Sequence, residues 1–157
     1  MLLDLYGFFP QTELKLASDG LLAILRARPG LAGVDVMVGW PRGMLNRESV
    51  IIEGDTRDWT VTDRNIGAHA RLLEERLAFT VRVIVLRTSD EFATLRDRVL
   101  ALAGEVISAV RSDRSLAVTV QDARASGGQW SEFVSDEGQG RGLQALLRVE
   151  YTTALYA

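Results

Sequence analysis

The sequence predicts an α+β fold: a mostly antiparallel sheet with two helices packed on one of its faces, in the order helix, hairpin, strand, helix, two strands. Three observations carry this. The stretch LAFTVRVIVLR sets Leu77, Phe79, Val81, Val83 and Val85 on one side of an extended chain, because strand side chains alternate at period two. Directly after it, Phe92, Leu95, Val99, Leu102, Val106 and Val110 recur at steps of three or four, the stripe of a helix resting on a sheet. No helical pattern separates the first two strands or the last two, so the sheet should run largely antiparallel.

The chain opens with MLLDLYGFFP, an apolar arm at 1–10. It has no basic leader, and Asp4 and Pro10 interrupt it well short of the ~18 residues that span a bilayer. Docking on its own core or on a neighbouring subunit is expected, not a signal peptide or a membrane anchor. A helix follows from Glu13 to Arg28, with Leu14, Ala17, Leu21, Leu22 and Leu25 as its stripe, Gly20 weakening its middle and Pro29-Gly30 ending it. Next, Val34, Val36, Val38 and Trp40 fall on one face. Val50 to Ile52 then makes the return strand of a hairpin whose tip, PRGMLNRE, is longer than the two to five residues a hairpin needs. A short strand is expected around Trp59 to Val61 within an irregular stretch.

At the junction of the central strand and the long helix, Thr88 and Glu91 have capping-box spacing, which starts the helix at about residue 89. Gly104 sits inside that helix at a cost of about 1 kcal/mol relative to Ala, and close approach to the sheet would explain it. Leu116, Val118 and Val120 alternate as a strand. The glycine-rich run that follows makes 126–142 a long flexible loop with Trp130 and Phe133 embedded in it. Leu143, Ala145, Leu147, Val149, Tyr151 and Leu155 then share one face of a closing strand.

A chain of 157 residues is expected to form one domain, with enough core to need no disulfide or metal; it contains no cysteine. The net charge of −3 and pI near 5.2 are the wrong sign for a dedicated nucleic-acid binder. Of 18 basic residues only Lys15 is lysine. A GC-rich genome accounts for that bias, as does selection of arginine for forked pairing with carboxylates.

Catalytic constellations are hard to assemble from these residues. His69 is the single histidine, so any His-based metal cluster or nucleophile triad would rest on it alone. Glu74 and Glu75 point to opposite faces of a strand and are better partners for Arg71 or Arg76 than a carboxylate pair. GQGRG (Gly138 to Gly142) leads into a strand, not a helix N-terminus, and so is a turn and not a phosphate loop. Asp136 and Glu137 lack the spaced ligands of a calcium loop. No catalytic residue, cofactor or metal is therefore expected.

The order of elements resembles the tail terminator family of long-tailed bacteriophages. The residues that carry the resemblance are Arg71, Glu74, Glu75 and Arg76 leading into Phe79-Thr80-Val81-Arg82-Val83, the single long helix, the strand at Leu116 to Val120, and Gly140-Arg141-Gly142 opening the last strand. The apolar arm and the long connection from Ser126 to Gln139 depart from the family's simplest pattern. The resemblance implies a structural virion protein with no turnover. Its copies would form a homo-oligomeric ring, a hexamer in the family's usual form, built in the bacterial host cytoplasm at the head-proximal end of the tail. Its partners would be itself, the tail tube protein and the head connector protein, with DNA only passing through the lumen and no membrane. Another head-to-tail joining protein or a tail tube subunit shares the same α+β character, and a small-molecule-binding domain or enzyme is the competing class. At the first tip Met44 and Leu45 are expected either to fold back on their own subunit or, flanked by Arg42 and Arg47, to reach the adjacent subunit or the tail tube, and Trp130 and Phe133 are the further candidate contact residues.

Overall fold

The computed structural model describes residues 14–43, 45–65, 71–87, 91–134 and 141–155. Helix α1 (Leu14–Arg26) turns Ala17, Gly20, Leu21 and Leu25 inward, and a short 3-10 turn (Pro29–Leu31) follows at the proline that ends it. Its last-turn Arg26 donates to the Val36 carbonyl at 2.9 Å, which ties the helix end to strand β1 (Asp35–Val38). Strands β2 (Glu48–Asn65) and β3 (Arg71–Arg87) precede the long helix α2 (Phe92–Ser112). Strands β4 (Asp122–Ser126), β5 (Trp130–Val134) and β6 (Arg141–Leu155) complete one six-stranded sheet, ordered β1-β2-β3-β6-β4 with β5 also on β6. The apolar arm at 1–10, Met44, His69, Thr88, Asp136, Glu137 and the start of GQGRG lie outside the described residues.

Both helices cover the same face. Phe79, Val81 and Val83 of β3 share one core with Leu95, Val99 and Leu102 of α2 and with Leu21 and Leu25 of α1. The α+β class, the mostly antiparallel sheet and the one-sided helices are as the alternation and the 3.6-residue stripe require.

The first hairpin is not one. β1 and β2 run parallel, Asp35 beside Ser49 through Val38 beside Ile52, and the antiparallel partner of β2 is β3. The long connection is the physical reason. A tight hairpin needs few residues, but a parallel return must run back along the strand. β1 spans only about 13 Å, so the stretch 39–47 is long enough to make that return. Gly39, at φ +76, starts it, donating its N–H to the Ile52 carbonyl at 2.9 Å. Leu45 folds back onto Ile51, Ile84 and Leu86 on the helix-free face. The same bend ends the alternation: Val36 is buried, while Val38 and Trp40 are exposed. The short strand around Trp59 to Val61 is the far part of β2, which resumes pairing with β3 after a register shift between Asp55 and Thr60.

The strand expected at Leu116 to Val120 is instead a left-handed turn, with φ of 47° at Leu116, 58° at Ala117 and 65° at Val118. Side chains with a Cβ occupy that region at a cost of roughly 1–2 kcal/mol each. Here the Asp113 carboxylate accepts from the Ser115 and Ala117 amides at 3.0 Å, and Thr119 Oγ1 donates to the Leu116 carbonyl at 2.7 Å. These side-chain bonds compete with a ladder for the backbone and offset the strain. Leu116 is fully buried and Val118 is 91% exposed, so the apolar alternation was coincidental.

The glycine-rich run is not one flexible loop either. β5 pairs with β6 from Trp130 beside Ala145 to Val134 beside Arg141, and Arg141 and Gly142 already belong to β6. β4 occupies the same edge further along, Ser126 beside Arg148. Residues 127–129 oppose only 146 and 147, a bulge in which a Cβ on Gly128 would stand 1.6 Å from the Leu146 carbonyl oxygen. Of the predicted final pair only the closing strand exists, and two strands that the alternation did not show, β4 and β5, pair with it.

Two helix details also differ from the sequence reading. The N-cap of α2 is Glu91, with no side-chain capping bond, so the helix begins at Phe92 and not near residue 89. Gly104 has nothing within 4 Å of where its Cβ would stand. The close approach occurs at Gly20, whose Cβ would lie 2.0 Å from the Leu116 carbonyl oxygen.

Candidate assembly surface

With one face of the sheet under helices, the surfaces left open are the other face, the two sheet edges and the outer sides of the helices. On the helix-free face Glu53 is the centre of a polar chain. It accepts from the Trp40 indole N–H and from Arg82 Nε at 3.2 Å. Arg82 also stacks over the Trp40 ring, 5.2 Å from its centroid, and donates to Gln144 Oε1 at 2.6 Å. Gln144 in turn donates to Ser131 Oγ at 3.1 Å. Side chains from β2, β3, β6 and β5 are thereby joined in a row. The sequence reading missed this row. Its signal was a lone arginine, Arg82, in the middle of an otherwise apolar run.

Further along lies an open groove of about 480 Å³, lined by Arg76, Arg124, Arg148, Asp122, Glu150 and Thr60 among others. Each arginine meets a carboxylate two residues away on the same strand: Arg76 with Glu74 at 2.7 Å, Arg124 with Asp122 at 3.2 Å, Arg148 with Glu150 at 2.5 Å. Spacing by two puts both charges on one side of a strand, which is why they pair. The hydrogen bond from Arg114, helped by Arg124, holds the Asp122 carboxyl below the ordinary carboxylate range. Asp113 is lowered too, chiefly by its bond from the Ser115 hydroxyl. A groove whose charges already answer one another is a wall that keeps strands in register, not a site that draws an ion.

The buried carboxylate Glu75 accepts from the Tyr151 hydroxyl at 2.8 Å, so of the adjacent pair only Glu74 is joined to Arg76. Among the described residues no cluster of three or more His, Cys, Asp or Glu side chains is placed to hold a metal. No described helix is long and apolar enough to cross a membrane.

Of the candidate contact residues, Arg42 and Arg47 are exposed on the 39–47 return, and Leu45 is half-buried against the helix-free face. The structure does not bring them together with Trp130. That indole, 49% exposed, packs instead against Phe92 at the start of α2, ring centroids 5.9 Å apart and planes tilted by 44°, with Phe92 itself 41% exposed. The backbone of Phe133 lies in β5; its side chain is outside the described residues.

No protein-family model matches the sequence, and no curated protein matches it. Among solved structures the fold is similar to a chain of the "Virion of native gene transfer agent (GTA) particle", with a TM-score of 0.41 and 16% identity, covering 84% of this chain and 91% of that one.

Proposed function

We propose that this chain is a structural virion protein that works by self-association, and specifically a tail terminator whose copies form a ring capping the tail tube and presenting a surface to the head connector. The observation that carries the reading is the tilted Phe92 and Trp130 pair, two large rings packed against each other yet half open to solvent. Aromatic side chains in that state gain most when a partner surface completes their burial. The terminator assignment draws on the resemblance in element order. The long β3, the single long α2 after it and Gly142 leading into an alternating last strand support it, while the expected strand at Leu116 to Val120 no longer does. The reading requires no cofactor, metal or catalytic residue.

Purified protein mixed with tail tubes and viewed by negative-stain electron microscopy tests it. Rings seated at one tube end are expected. Protein incorporated along the tube, or tubes left uncapped, would sink the terminator reading.

A further inference from the structure

The outer ends of α2 carry opposite chemistry. At its start Glu91 precedes Phe92, and Glu132 lies two residues beyond Trp130, on the same side of β5. Both carboxylates are exposed, and neither forms an ion pair among the described residues. The aromatic pair is therefore flanked by acids. At the other end of the helix, roughly 28 Å away at 1.5 Å per residue, a groove of about 450 Å³ is rimmed by the exposed Arg111, Arg114 and Arg124 around the half-buried Ala125, with Val110 and Ala123 buried beneath. Arg114 and Arg124 share the single carboxylate of Asp122, and Arg111 has no ion pair among the described residues. The nearby Asp113 carboxylate is engaged by the amides of its own turn. The groove thus keeps positive charge in excess at its rim.

We infer that a second copy of this chain docks here head to tail, its Phe92 and Trp130 rings seated in the groove at the end of α2 and its Glu91 and Glu132 meeting Arg111, Arg114 and Arg124. The inference rests on the self-association proposed above and names the surfaces that would make it. Each half explains the other. Guanidinium groups pack well against aromatic faces, and the unpaired acids need cations. Because the two patches differ, the contact is heterologous and can repeat around a ring.

Charge exchange tests it on the full-length protein by sedimentation velocity over a range of concentration and salt. Wild type is expected to associate, less so at high salt. Glu132→Arg alone and Arg111→Glu alone should each raise the association Kd at least tenfold while circular dichroism shows an unchanged fold. An equimolar mixture of the two should recover association, since the reversed acid end of one then faces the reversed basic end of the other. Trp130→Ala should weaken association and stay weak on mixing with Glu132→Arg, whose lesion lies at the same end, but should regain a wild-type contact on mixing with Arg111→Glu, which keeps an intact aromatic end for the intact groove. If a reversal impairs folding, Glu132→Gln and Arg111→Gln give the same comparison at smaller amplitude. Wild type that stays monomeric throughout would overturn this docking and the self-association reading together. Wild type that associates while the reversed variants associate equally well, or fail to recover on mixing, would overturn the docking alone.

Discussion

On the helix-covered side of β3, Leu77, Phe79, Val81, Val83 and Val85 are all buried in one apolar core, whereas on its other side Arg82 stands beside Ile84 and the apolar cover is a returning loop. The difference shows two ways of specifying one strand. The first side is held by non-directional burial, which tolerates small shifts but no charge. The second is held by a row of directional bonds from Trp40 to Ser131, where each member fixes the next.

Substitutions should separate the two sides by size of effect. Val83→Asp places an unpaired charge in the helix-side core, a penalty of several kcal/mol against a total stability of ~5–15 kcal/mol. Loss of the cooperative thermal transition is expected, and a variant melting like the parent would refute the packing of β3 on α2. Gly20→Ala acts on the same side through the backbone. Its Cβ would meet the Leu116 carbonyl oxygen, so a loss of about 1–3 kcal/mol in urea unfolding is expected. Gly104→Ala, on the open side of α2, should instead raise stability by up to about 1 kcal/mol. Equal effects at the two glycines would contradict their placement. On the helix-free side, Arg82→Leu removes one of two donors to Glu53 and the donor to Gln144. A loss of about 1–2 kcal/mol without unfolding is expected in the same measurement, and a variant as unstable as Val83→Asp would erase the distinction between the faces.

The helix-covered side was also the legible one. β3, β6 and α2 announce themselves because burial on one face imposes a period on Phe79 to Val85, on Leu143 to Tyr151 and on Leu95 to Val110. Where local polar groups decide the backbone, the period misleads. Leu116, Val118 and Val120 alternate, yet Asp113 and Ser115 wind them into a left-handed turn. Strand direction escaped as well, since Val34 to Val38 and Val50 to Ile52 alternate identically whether parallel or antiparallel. Only the length of 39–47 carried the distinction. β5 was hidden because Gly127 and Gly128 suggest a loop, whereas a bulge uses glycine for close approach. Of the candidate surface, Trp130 was visible in the sequence as an aromatic residue out of place. Its packing partner Phe92 was assigned to the helix stripe, and the groove at the far end of α2 needs β4 to exist.

The break in the outer strand also governs what the sheet cannot do. A stray extended chain zips onto a sheet where it finds a long straight row of free amides and carbonyls. On one side that ledge is the four residues of β1 and then the outer edge of β2 beyond Ile52, itself broken where the register shifts between Asp55 and Thr60; on the other it is cut by the bulge at 127–129 into two runs of five. Breaks at both edges deny such a chain a straight ledge, which leaves self-association of the kind proposed above to side-chain surfaces that can close.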